Sequence, residues 1–177
     1  MKTLLRTTAL ALALAATPAA FAADGEIEFN GTITANSCPI TITNPGGTAG
    51  KVPLGDVSKT ALKAANDIAG AGTFSLAVTP GGGCTPGTRA TVSFVSLSGS
   101  AGPGGEWLSL VGAGTAGVAQ NVAVQIRDAS GNALPLGNAS VEYNPTNPMR
   151  FTVNYIATGA AVEGSAGARA AFTVNYL

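Results

Sequence analysis

Apolar residues two positions apart recur in short runs from residue 26 to residue 177, and Gly, Pro, Asn and Ser stand between the runs. That period belongs to a half-buried strand, whose successive side chains point to opposite faces. In the last run Ala170, Phe172, Val174 and Tyr176 share one face, and Arg169, Ala171, Thr173 and Asn175 share the other. The same alternation runs through 73–79 (Phe74, Leu76, Val78), 120–128 (Val122, Val124, Ile126) and 149–157 (Phe151, Val153, Tyr155). Shorter or less regular runs lie at 38–43, 88–98, 107–111 and 139–143, and the lone Trp107 is expected to anchor the core or its rim. Turn signals separate them, among them Asn44-Pro45-Gly46-Gly47, residues 80–83 and Ser130-Gly131-Asn132. About eight short strands with turns this frequent predict an antiparallel β-sandwich. Only residues 55–69 have helical character, with Val57, Leu62, Ala65 and Ile68 able to share a face; they predict a short helix or an irregular crossover.

The first 22 residues do not belong to the fold. Lys2 and Arg6 precede an apolar run over 9–16, and Pro18 and small residues lead to Ala20-Phe21-Ala22. A charged start, a short apolar middle and a small-x-small ending make a secretory signal peptide. The apolar run is too short for a permanent membrane span. Cleavage after Ala22 leaves residues 23–177, enough for one domain with a real core.

Two of the nine Lys and Arg go with the leader, against nine Asp and Glu, so the mature chain is mildly acidic. Nothing basic suggests nucleic acid, and no further apolar run suggests membrane insertion. Cys38 and Cys84 are the chain's two cysteines. In an exported protein a disulfide is the default. Closing a loop of about 46 residues contributes about 4 kcal/mol in the chain-entropy model. A catalytic thiol would want a His partner, and the sequence contains no His.

That absence also removes zincins, Ser-His-Asp triads and imidazole metal sites. Residues 112–117 spell G-x-G-x-x-G, but a strand pattern follows where the dinucleotide motif needs a helix. Asp128-x-Ser130-x-Asn132 lacks the twelfth-position Glu of a calcium loop, where Ala139 stands, and reads as a turn. The acids are scattered and mostly flank turns. No catalytic, metal or cofactor site is expected, and no enzyme.

Two runs remain conspicuous. The chain stops one residue after Tyr176, so the last strand is expected either to be an ordinary edge or to be completed by another chain. Residues 26–34 place Ile27, Phe29 and Ile33 on one face, with Gly31 at the same period where a side chain would pack. Glycine inside a strand weakens it unless it makes a bulge or lets something approach closely.

These residues carry a family resemblance. Gly25-x-Ile27-x-Phe29-x-Gly31-Thr32-Ile33 is followed within a few residues by Cys38, then by Leu54-Gly55-x-Val57 and Cys84. Residues 121–126 (NVAVQI) and 155–158 (YIAT) come later, and Gly164 and Tyr176 stand fourteenth and second from the end. The mature chain resembles the subunits of chaperone–usher pili, the type 1 major pilins most of all. The resemblance implies an all-β, incomplete immunoglobulin-like sandwich lacking its C-terminal strand and completed in trans by donor-strand complementation. It implies an N-terminal extension over 23–36 and a pilin domain over 37–177. Ile27, Phe29, Gly31 and Ile33 would form the donor face. Gly164, Ala170, Phe172, Val174 and Tyr176 would belong to the acceptor groove, with Phe151, Val153 and Tyr155 as further candidates. The implied partners are identical or related pilins, a periplasmic chaperone and an outer-membrane usher; the implied location is an extracellular fimbrium reached through the periplasm. A minor adaptor subunit, or a secreted self-contained sandwich that binds carbohydrate, are the competing readings.

Overall fold

In the computed structural model, the described residues are 38–47, 50–81 and 83–177. The leader over 1–22 and the expected donor residues Ile27, Phe29, Gly31 and Ile33 lie outside them.

Alternating segments become strands where they were expected, and they form two sheets. The strands are β1 (Ile40–Thr43), β2 (Ile68–Val78), β3 (Ala90–Ser96), β4 (Ser100–Ala101), β5 (Trp107–Leu108), β6 (Gln120–Arg127), β7 (Met149–Val162) and β8 (Ala170–Tyr176). A six-stranded antiparallel sheet runs β1-β2-β7-β6-β5-β4, and β3 pairs with β8 in a second sheet of two strands. This is the expected all-β sandwich. Among the described residues no helix is long and apolar enough to cross a membrane.

The inward faces meet in one core of Leu76, Val92, Phe94, Leu110, Val124, Ile126, Met149 and Phe151. An aromatic group ties the sheets together. Phe74 stacks on Phe151 within the large sheet with centroids 5.3 Å apart. Phe94 of β3 meets both edge-on, at 5.9 and 5.1 Å. Such edge contacts add about 0.5–1.5 kcal/mol each beyond the area they bury. Trp107 is buried on the outer side of the large sheet, in a separate cluster with Ala123 and Ile156, so it anchors the rim as expected.

The disulfide Cys38–Cys84 closes across 5.2 Å between Cα atoms, both cysteines being buried. It fastens the start of β1 to the loop after β2.

Of residues 55–69, 55–67 form the irregular crossover and not a helix, and Ile68 and Ala69 already belong to β2. The crossover contains one 3-10 turn, Lys59–Ala61, capped by the Ser58 hydroxyl. Gly55 and Asn66 are left-handed, with φ of 73° and 72°, and a right-handed helix cannot run through either. The segment bonds instead to β7: Asn66 N–H donates to Ala157 O, Ala157 N–H to Asp67 O and Ala161 N–H to Leu62 O. Leu62 is the position of the apparent helical stripe that is buried. Residues 139–143 form no regular strand, yet Ser140 and Tyr143 N–H donate to Val92 O and Ala90 O along the free side of β3.

Phe151 is fully buried and touches Phe74, Phe94 and Tyr143, so truncating it opens a cavity at the junction of the sheets. Phe151→Ala is expected to lower the stability of the mature protein by about 3–5 kcal/mol, read as a shift of the denaturant midpoint.

Candidate strand-acceptor groove

Among the described residues, β8 is paired on one side only. Its register with β3 pairs Phe94 with Phe172, Val92 with Val174 and Ala90 with Tyr176. Flanking bonds, Leu97 N–H to Arg169 O and Leu177 N–H to Arg89 O, show which pairs are hydrogen-bonded. They are the odd-numbered residues of β8, because bonded and non-bonded pairs alternate in an antiparallel ladder. Ala170, Phe172, Val174 and Tyr176 therefore turn their backbone N–H and C=O away from β3, toward an edge that no strand among the described residues occupies. β3 carries the same pattern on its far side, but there residues 137–143 supply partners.

Beside the open edge lies an apolar cavity of about 640 Å³. Ala166, Ala168, Ala170 and Phe172 form the wall on the β8 side, and Ile42, Val52 and Leu54 face them. Its floor includes Leu76, Leu108, Val124 and Val153 from the large sheet. Leu97, Lys51 and Arg169 also contribute to the lining. The cavity exists because the small sheet ends at β8 while the large sheet beneath it does not.

The structure separates the residues that the sequence grouped. Ala170 and Phe172 line the cavity, as do Val153 and Tyr155 of β7. Val174 and Tyr176 are half-buried, pack on the main core and lie outside the cavity. Phe151 sits under the core rather than in the groove. Residues 52 and 54 escaped sequence reasoning because they belong to no alternating run; the Leu54-Gly55-x-Val57 motif was the available signal.

Two tyrosines mark the ends of this region. Tyr155 donates its hydroxyl to Ala166 O at 3.0 Å, fixing the segment that enters β8. Burial, with a smaller contribution from Asp56, raises its pKa above the usual phenol value. The Tyr176 hydroxyl is buried with no hydrogen-bond partner among the described residues, and burial raises its pKa as well. Past Tyr176, Arg89 grips Glu142 through Nε at 2.8 Å and Nη2 at 2.5 Å, and the guanidinium holds that exposed carboxyl below its ordinary value.

Gly164 has a packing role outside the cavity. A Cβ there would stand 2.4 Å from Ala119 N and 2.5 Å from the carbonyl carbon of Val118. The close approach lets Ser165 bridge to 117–119, donating N–H to Gly117 O at 2.8 Å and accepting from Ala119 N–H at 3.0 Å. Gly164→Ala should therefore destabilise by about 1–3 kcal/mol through overpacking against backbone, measured by thermal unfolding. A full loss of strand capture with unchanged stability would contradict the packing role.

Residues 27–177 match the family model described as fimbrial protein. The chain is 33% identical to the fimbrial subunit type 1 of Klebsiella pneumoniae over 86% of this chain and 83% of that one. It is 33% identical to the major fimbrial subunit SMF-1 of Stenotrophomonas maltophilia, over 92% and 99% respectively. Its fold is similar to that of an antigen and type I fimbria protein of Burkholderia pseudomallei, with a TM-score of 0.57 and 24% identity over 80% of this chain and all (100%) of that one. A subunit of a chaperone–usher pilus aligns with a TM-score of 0.53 and 19% identity, over 88% and 96%. The chain belongs to the fimbrial protein family.

Proposed function

We infer that this chain, a structural subunit of a fimbria, polymerises by donating its own N-terminal segment to the groove of the next copy. The observation that carries the reading is the open edge of β8. Among the described residues, three alternate positions of β8, Phe172, Val174 and Tyr176, present backbone groups that no strand pairs, and Phe172 lines the apolar cavity beside that edge. A strand that alternates apolar and polar residues satisfies both needs, pairing its backbone with the edge and filling pockets with alternate side chains. Residues 26–34 are such a segment within the same chain.

Burying Ile27, Phe29 and Ile33 would contribute on the order of 5–9 kcal/mol before any backbone pairing. Gly31 leaves a gap in that face, and a strand already seated in the groove is displaced most easily where the incoming one has no side chain to force past it. The contact joins unlike surfaces of identical subunits, so it repeats head to tail and builds an open filament when the rotation between copies does not close. Until a donor arrives, an apolar groove next to an unpaired edge is an aggregation hazard, which is the physical reason for a periplasmic chaperone strand. An outer-membrane usher then accounts for passage to the cell surface. The domain boundaries follow: leader 1–22, donor extension 23–36, acceptor domain 37–177.

The test removes residues 23–36 and returns them as a synthetic peptide. The truncated domain should unfold at higher temperature with peptide, the gain approaching about 2.7 kcal/mol when free peptide exceeds its Kd a hundredfold. A truncated domain that is already stable, monomeric and indifferent to the peptide would leave the groove without this occupant. In the full chain, Gly31→Ile should still reach the periplasm yet stop fibres from lengthening; normal fibres, counted by electron microscopy, would remove Gly31 from the exchange.

A further inference from the structure

We propose that the outer face of the large sheet carries a binding site for a small anionic saccharide, centred on Arg150. The site lies away from the donor groove, on the opposite face of β1, β2 and β7.

Three residues stand in a row across the strands: Thr43 on β1 opposite Ser75 on β2, and Ser75 opposite Arg150 on β7. A second row holds Thr73 opposite Thr152, and Thr152 opposite Arg127 on β6. Neighbouring strands are ~4.8 Å apart and residues two apart on a strand ~7 Å, so both rows fit the footprint of a small saccharide. The turn after β6, with Asp128, Ala129 and Gly131, forms a wall, and the concavity it encloses measures about 490 Å³.

The chemistry of this face is uncommitted. Among the described residues no hydrogen bond engages the side-chain hydroxyls of Thr43, Thr73, Ser75 and Thr152, whereas Ser96, Ser98, Thr115, Ser140 and Ser165 all use theirs to hold a loop or turn. Each free hydroxyl can both donate and accept, which matches a ligand that is itself rich in hydroxyls. The Arg150 guanidinium is exposed and, among the described residues, joins neither of the ion pairs, Lys59 with Glu163 and Arg89 with Glu142. Arg127 is outside the lining of the concavity and adds a second positive charge one strand over, opposite Thr152, steadied by bonds from Nε to Gln125 Oε1 and from Nη1 to Gly131 O. Asp128 does not neutralise the pair from close range, because its carboxylate faces its own turn. Oδ1 accepts from Ser130 N–H at 2.9 Å and Asn132 N–H at 3.0 Å, and Oδ2 accepts from Asn132 Nδ2 at 3.4 Å.

An arginine fork recognises a sulfate or carboxylate by paired hydrogen bonds. The hydroxyl rows would then read the ring that bears it. A shallow, solvated site of this kind binds weakly, and repetition along a fibre multiplies weak contacts into avidity. That amplification rests on the polymeric reading above; the site on each subunit does not.

The experiment titrates assembled full-length protein with a sulfated disaccharide, the same disaccharide without sulfate, and sodium sulfate, by calorimetry. The sulfated sugar should bind, and the unsulfated one should bind at least about tenfold more weakly, the loss of one charge-assisted pair. Arg150→Ala should weaken the sulfated sugar by a similar factor, and Thr73→Val with Thr152→Val should weaken it in a variant whose circular dichroism is unchanged. Lys63→Ala, an exposed cation elsewhere, should leave binding unchanged. Sodium sulfate binding as tightly as the sulfated sugar, no heat from any probe, or equal losses from Arg150→Ala and Lys63→Ala would each overturn the proposal. Because every arm is read on already assembled protein, a failed titration leaves donor-strand assembly untouched.

Discussion

The contact between Phe94 of β3 and the Phe74–Phe151 pair beneath it holds the rest of this structure in place. Among the described residues β3 and β8 form a sheet of two strands, and an isolated pair is marginal in water. What keeps it is its inner face, Val92, Phe94, Phe172 and Val174, laid on the six-stranded sheet. Phe172 joins the aromatic group at its margin, 6.4 Å from Phe94, and also lines the cavity. One residue thus belongs both to the core and to the groove. On the proposed reading, a strand that fills the cavity would also support Phe172 from its exposed side, which would couple strand capture to the stability of the small sheet.

Much of this architecture was legible from period-two alternation, because a strand with one face buried cannot slip register without exposing its apolar set. The runs around Phe74, Val124, Phe151 and Phe172 each became a strand with the expected face inward. Legibility failed where small or irregular residues carry the structure. Val57, Leu62, Ala65 and Ile68 fit a helical stripe, yet left-handed Gly55 and Asn66 break it and the backbone bonds to β7. β7 runs on to Val162, through Gly159, Ala160 and Ala161, where side chains are too small to announce a face. The cavity shows the same division: Ala170 and Phe172 were readable from the alternation, while Ala166, Ala168, Val52 and Leu54 come from segments without regular structure, and Val174, Tyr176 and Gly164 lie outside the lining.

Gly164 illustrates how position and reason differ. Its distance from the end of the chain grouped it with the last strand and the acceptor groove, but it precedes β8 by six residues and lies outside the cavity lining. Its physical function lies in backbone contact with 117–119, where no Cβ fits, and that contact aims the chain into β8. A glycine with an ordinary φ is required here by proximity, which a sequence does not display.

Open strand edges invite unwanted pairing, and among the described residues only one long edge is left open. At one border of the large sheet β4 is two residues long, and at the other β1 is four and runs directly into the Asn44-Pro45 turn. The far side of β3 is occupied by backbone bonds from Gly137, Ser140 and Tyr143. That leaves β8, with seven residues, as the one long edge unpaired among the described residues. It is also the edge beside the apolar cavity, so backbone pairing alone does not fill the site. On the proposed reading, an incoming strand would have to bring apolar side chains at the right alternation as well. On the proposed reading, keeping the other described edges short or occupied and attaching a side-chain requirement to the last would turn a general tendency of β-sheets to aggregate into a contact that selects its partner and its direction.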